Sequence, residues 1–151
     1  MNPDIILRPS EAHDPAFLAP ILRDIDKLEI SCVSSMAPID CLTSAYDYCE
    51  VCDTAVYKGR PIAMFGITAT DWGGVPWLLG TDALSDVKLT YTKIARGWVS
   101  RMVEDYRVLR NFVHEDNSSS VRWLRDCLGF QVGRERILMK DNPFLSFERS
   151  M

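Results

Sequence analysis

The sequence has no basic block, no long apolar run and only two histidines. Each absence removes a class of function. A membrane-spanning helix needs about 20 consecutive apolar residues, and no stretch approaches that length. Met1 to Arg8 lacks the basic-then-apolar pattern of a secretory leader, so a cytoplasmic product, with no membrane partner, is expected. A nucleic-acid partner needs a basic surface that displaces counterions from phosphates. The net charge is -4. Arg122, Arg125, Arg134 and Arg136 lie near one another in sequence, but Asp126 and Glu135 interrupt them. They read as a mixed solvated face. Five cysteines occur, an odd count at irregular spacing, which does not make a disulfide framework. Cys49-Glu50-Val51-Cys52 has the gap of a zinc half-site. Structural zinc takes four ligands, and no second pair of cysteines or histidines accompanies it, so no metal is expected. There is also no Gly-x-Ser-x-Gly elbow, no Walker loop and no dinucleotide fingerprint. Ser118-Ser119-Ser120 lies too close to His114 in sequence to read as a triad.

What is present suits one soluble domain spanning residues 1–151. The hydrophobic fraction is 47% and the charged fraction 25%. Ile5-Ile6-Leu7-Arg8, ended by Pro9, reads as a first strand. Asp14-Pro15 reads as a cap followed by proline in the first helical turn. Phe17, Leu18, Ile21, Leu22, Ile25 and Leu28 then recur at spacings of three and four, the pattern of one apolar helical stripe. Ser31 to Pro38 reads as a loop. A second helix is expected from Pro38 or Ile39 to Val51, with Leu42, Ala45, Tyr46 and Cys49 facing inward.

The period then changes. Thr54–Tyr57 and Ile62–Ile67 are β-prone runs about Lys58-Gly59-Arg60-Pro61, which predicts a hairpin. Val75–Gly80 makes a third strand of a meander. Leu84–Tyr106 carries a long helical pattern through Val87, Ile94, Trp98 and Met102. Leu109–Val113 reads as a strand. Asp116 or Asn117 can cap the next helix, which Gly129 ends. Phe130–Met139 is a strand region, and Pro143–Phe147 one more. The expected class is α/β (α+β): a mixed central sheet with helices on both faces, in the order β-α-α-β-β-β-α-β-α-β-β. The link from the Trp77 strand through the long helix to the Leu109 strand predicts a parallel, right-handed crossover.

This order, together with the run from Asn117 through Val121-Arg122-Trp123-Leu124 to Leu128-Gly129-Phe130, resembles the Gcn5-related N-acetyltransferases. Members of that family commonly open the penultimate helix on Asn and end it in Leu-Gly-Phe. A narrower resemblance rests on Val56–Pro61, Pro76–Thr81 and Val121–Leu124. These strings are similar to a small family of short-tailed bacteriophage proteins linked to virion morphogenesis, for which an acetyltransferase activity is suggested.

The wider resemblance implies an acyl-coenzyme A, such as acetyl-CoA, lying in a splay between two parallel strands, with its pyrophosphate at the start of the long helix. Free N–H groups and the helix dipole attract anions there. Carried onto this sequence, the coenzyme residues are Leu78, Leu79, Gly80, Lys88 and Asn117. The junction Leu79-Gly80-Thr81-Asp82-Ala83-Leu84-Ser85-Asp86-Val87-Lys88 departs from the family's glycine-rich, basic loop. Asp82 and Asp86 are acidic, Gly80 is the lone glycine and Lys88 the lone cation. The family's general acid, a Tyr four or five residues before the terminal glycine, falls here on Arg125 or Leu124, and neither donates a proton. His114, followed by Glu115 beyond the Leu109–Val113 strand, is the candidate general base. A loop His at the strand end is the plainer reading. Asn117 equally serves as a helix cap, and Trp72 and Trp77 as a cleft lining or as core.

Three functions stay open at this level. One is acyl-coenzyme A-dependent N-acetyl transfer with a degenerate pyrophosphate loop. A second is a non-catalytic protein of that fold in phage virion assembly, residing in the host cytoplasm or the virion with virion proteins as partners. A third is a small acidic inhibitor that binds a host protein. One fold hosts many functions, so fold alone does not choose among them.

Overall fold

The computed structural model describes residues 4–151. They form two compact units. One holds the described residues up to Thr68 together with Trp77–Tyr91, and the other holds Ala69–Pro76 together with Thr92–Met151.

In the first unit, β1 (Ile5–Pro9) runs antiparallel to β2 (Val51–Tyr57), in register from Ile5↔Tyr57 to Pro9↔Asp53. β2 runs antiparallel to β3 (Arg60–Ala69). The hairpin between them turns on Lys58 and Gly59, at φ 52° and 75°. Positive φ at both central residues matches the right-handed twist of the flanking strands. The second half of β4 (Gly74–Gly80) closes this unit.

The expected single helical stripe is broken into three pieces. They are α1 (Asp14–Leu18), a 3-10 turn at Ala19–Ile21, and α2 (Asp24–Val33). Pro20 explains the break, since it has no N–H to donate and its ring clashes with the preceding turn. Leu22 leaves the turn extended, at φ -59° and ψ 151°, and forms an antiparallel bridge with Thr81. The break changes which residues are buried. Leu18, Leu22 and Ile30 enter the core, whereas Phe17, Ile21 and Leu28 of the predicted stripe are exposed. α2 also runs through Ser31–Val33, which read as loop in the sequence. α3 (Pro38–Tyr48) contributes Leu42, and Val51, expected at its end, instead opens β2. The core of this unit is Leu18, Ala19, Leu22, Ile30, Leu42 and Met64, with Trp77 and Leu79 packed against it.

A buried carboxylate ties β1 to α1. Asp14 accepts both arms of the Arg8 guanidinium at 2.8 and 2.9 Å, the Glu11 N–H at 2.8 Å and the Thr54 hydroxyl at 2.8 Å. Burial pushes its pKa up, but the Arg8 bonds, the other donors and the Arg8 charge outweigh that and hold it below the usual carboxylate value.

In the second unit, the start of β4 pairs in parallel with β5 (Val108–His114) at Gly74↔Leu109. The chain between them includes α4 (Lys88–Tyr106), of which the part from Thr92 onward belongs to this unit. β5 is antiparallel to β8 (Asn142–Ser150) from Val108↔Ser150 to His114↔Phe144. α5 (Ser118–Arg122) continues into a π-helical turn at Trp123–Cys127. The predicted strand region Phe130–Met139 resolves into two short strands, β6 (Gln131–Val132) and β7 (Ile137–Met139), each antiparallel to β8. Trp98, Met102, Leu109, Phe130, Phe144 and Phe147 are buried here, with Phe130 and Phe147 edge to face at 5.1 Å.

The strands follow the hydrogen-bonding order β1-β2-β3-β4-β5-β8-β6, with β7 on β8. Parallel and antiparallel pairs coexist, so the sheet is mixed, as the sequence predicts. The parallel β4–β5 pairing is likewise the expected one. No helix among the described residues is long and apolar enough to cross a membrane. No group of three or more His, Cys, Asp or Glu among them is placed to hold a metal ion.

Candidate functional site: the ends of β4 and β5

Of the residues singled out in the sequence, Leu78, Leu79, Gly80 and Lys88 lie in the first unit, and His114 and Asn117 in the second. Leu78, Leu79 and Gly80 are the last residues of β4. Lys88 is exposed and is the first residue of α4. It is separated from β4 by a 3-10 turn, Asp82–Val87, where the sequence predicted the long helix to begin at Leu84.

The end of β4 is closed by the protein's own groups. The Gly80 N–H donates to Asp26 Oδ2 at 2.9 Å. The Gly80 carbonyl accepts the Arg23 N–H at 2.9 Å. The Thr81 N–H and hydroxyl both donate to the Ile62 carbonyl, at 3.0 and 2.9 Å. Asp26 is buried, and Arg23 grips it from the side through Nε and one terminal nitrogen, at 2.8 and 3.0 Å. A charged pair in such a site is stable only if its remaining hydrogen bonds are made. The Gly80 amide supplies one of them. A Cβ at Gly80 would meet the tip of the Leu84 side chain, which would have to move aside.

A pyrophosphate at this junction would need backbone N–H groups turned outward. Those of Gly80 and Thr81 are spent, and that of Leu84 donates to the Thr81 carbonyl at 3.1 Å. A 3-10 turn closes i→i+3 bonds, which directs its later N–H groups back along the chain. Asp82 and Asp86 are exposed on it. The first N–H groups of the junction are taken, and the carboxylates of Asp82 and Asp86 beside them disfavour a pyrophosphate.

The earlier part of β4 behaves differently. Its ladder with β5 is recorded at Gly74↔Leu109. Two residues further, the Pro76 carbonyl is met by the Asn111 side-chain amide at 2.7 Å, where a continuing ladder would present backbone. Trp77 packs on the core, yet its indole N–H is buried with no hydrogen-bond partner, the one such side-chain N or O atom among the described residues. Trp72 is exposed, with the Arg110 guanidinium over its ring at 5.0 Å.

His114, expected just past its strand, is the last residue of β5 and is buried. Its Nδ1 accepts the Asp116 N–H at 3.0 Å, and its Nε2 lies 3.2 Å from Asn142 Oδ1. A ring nitrogen that accepts an N–H carries no proton, so the proton sits on Nε2 and donates to Asn142. The Asn142 amide nitrogen donates to the Lys140 carbonyl, which fixes the orientation of that side chain. The ring also stands edge to face on Phe144, at 5.2 Å. The lone pair a general base would use is therefore engaged. Asn117 caps α5, accepting the Ser120 N–H at 3.4 Å, and its own N–H donates to the His114 carbonyl. Arg125 is exposed and pairs with the neighbouring Asp126 at 2.9 Å.

Sequence reasoning missed Arg23 and Asp26. A signal for Asp26 was present: Leu22, Asp26 and Ile30 recur at spacing four, which puts a carboxylate among buried apolar residues.

No family model and no curated protein matches the sequence. Solved structures do match. Ard1 from Thermoplasma volcanium superposes with a TM-score of 0.72 at 12% identity, over 97% of each chain. The PaiA N-acetyltransferase from Thermoplasma acidophilum, in complex with coenzyme A, gives 0.64 at 15% identity, over 98% of this chain and 99% of that one. An acetyltransferase of the GNAT family from Streptococcus pneumoniae gives 0.56 at 15% identity, over 98% and 99%. The chain has the Gcn5-related N-acetyltransferase fold. Within that fold, the junction between β4 and α4 departs from the glycine-rich, basic loop that the resemblance implied.

Proposed function

We propose that the chain is an N-acyltransferase that takes an acyl-coenzyme A, such as acetyl-CoA, with an altered pyrophosphate loop. The observation that carries this reading is the match of essentially the whole chain to acetyltransferase structures, one of them holding coenzyme A. The early end of the β4–β5 ladder supports it, since a strand edge released from its neighbour can pair with an extended amide-bearing ligand. Leu78, Leu79 and Lys88 are kept as coenzyme residues in this reading. Asn117 keeps its capping role. For His114 we assign a structural role, because activating an amine would first require breaking its bond to the Asp116 N–H. Titration calorimetry with acetyl-CoA tests the reading. Saturable heat supports it, and no heat at millimolar ligand overturns it.

A second reading is favoured by one specific observation, the Asp26 carboxylate on the Gly80 N–H. That observation bears only on the loss of catalysis within the kept fold; the further part of this reading, a role in phage virion assembly through protein contacts in the host cytoplasm or the particle, rests on the short strings of sequence resemblance alone. Recovery of the chain in purified particles, with no heat from acetyl-CoA, would favour this second reading.

A further inference from the structure

We infer that Asp26 stands in for a ligand phosphate at the end of β4, so that the chain recognises an acyl donor by its pantetheine arm and not by its nucleotide. The part concerning donors rests on the acyl-transfer reading; the part concerning Asp26 does not.

The inference follows from a count of donors. An anion site at a strand-to-helix junction needs N–H groups and a cation that no protein carboxylate has already satisfied. Here the Gly80 N–H and the Arg23 guanidinium both point at one carboxylate, with bonds of 2.9, 2.8 and 3.0 Å. The set is that of a bound oxyanion: a fork of cationic donors plus a backbone amide. The oxyanion is supplied by the chain itself, from the first turn of α2. It is buried, so a soluble phosphate cannot displace it by simple competition at the surface. The Thr81 N–H, the next donor along, is bonded to Ile62. Asp82 and Asp86 add negative charge to the exposed turn that follows, which repels a pyrophosphate further.

Two predictions separate the parts. In the unaltered protein, S-acetylpantetheine and acetyl-CoA bind with dissociation constants within about threefold of each other, and inorganic pyrophosphate gives no saturable heat at millimolar concentration. In Asp26→Ala, the carboxylate's place beside the Arg23 fork is emptied and the fork loses its counter-charge, so pyrophosphate gives saturable heat at millimolar concentration where the unaltered protein gives none, a gain of at least about tenfold, the scale of one charge-assisted bond. Calorimetry with these three ligands reads both. Acetyl-CoA binding 30-fold or more tighter than S-acetylpantetheine, or pyrophosphate binding to the unaltered protein, overturns the inference. So does a folded Asp26→Ala variant that gains no pyrophosphate affinity. If neither thioester binds, the acyl-transfer reading fails, and the pyrophosphate arms still decide the role of Asp26. The measurements on the unaltered protein hold even if the variant does not fold.

Discussion

The end of β4 and the end of β5 are both closed by side chains, but with different chemistry. At β4 the closure is ionic: the Asp26 carboxylate, the Arg23 guanidinium and one backbone N–H. At β5 it is made of an imidazole, a side-chain amide and the Asp116 N–H. The first kind is costly to bury and costly to break, while the second is modest in both senses. A strand end that held an anion through its own backbone would need N–H groups left unspent. Here both ends are spent, and only the β4 end does so with a group that mimics a ligand's charge.

That contrast sets the order of the expected effects. Asp26→Ala leaves the Arg23 guanidinium and the Gly80 N–H unpaired, and it should cost about 3 kcal/mol or more of unfolding free energy, measured by urea denaturation. Replacing the pair together, as Arg23→Met with Asp26→Leu, should recover most of that loss, because no charge is then left alone. If the double variant were as unstable as the single one, the ionic account of β4 would be wrong. His114→Ala should cost about 2–3 kcal/mol in the same assay, from the lost packing on Phe144 and the orphaned Asp116 N–H. A wild-type stability with lost activity would instead restore His114 as a catalytic base.

The Asp14 carboxylate offers a pH test. Its pKa is lowered in the folded state, so its ionisation contributes stability above the unfolded value of about 4. That contribution is lost as pH falls through the lower folded value. Asp14→Asn should therefore cost about 2 kcal/mol at neutral pH, and the gap to the unaltered protein should shrink below about pH 4, read from melting temperatures across an acid series. A constant gap would show that the Arg8 contact is not electrostatic. Asn117→Ala should be the mildest change, about 1 kcal/mol, and Asn117→Asp should rescue it. A loss of ligand affinity in Asn117→Ala without that stability change would move Asn117 from cap to ligand contact.

Much of this was legible in the sequence, and what was not has physical reasons. Periodicity identified β2, β3, β4 and β5 because their apolar runs are bounded by turn residues. The same periodicity joined α1 and α2 into one helix, since a count of apolar spacings passes over Pro20, which breaks the hydrogen-bond ladder. The start of α4 was placed too early because 3-10 and α turns share a similar apolar spacing. At the candidate site, the acidic character of the Gly80–Lys88 junction showed in Asp82 and Asp86. The group that closes it did not, because Asp26 lies 54 positions before Gly80 and meets it only through the fold. His114 was found by residue type, but its bonds to Asp116 and Asn142 depend on the β5–β8 register, which no local pattern encodes.

The parallel step from β4 to β5 also bears on how the chain reaches this fold. The β2–β3 hairpin closes over two residues, an event of about 1–10 μs. The Gly74↔Leu109 pairing must wait until all of α4 has formed and crossed back, a loop closure whose entropy is lost before any contact repays it. The step that lays β4 beside β5 is thus expected to be late and slow in folding. A refolding experiment should find the hairpin protected from hydrogen exchange well before β5.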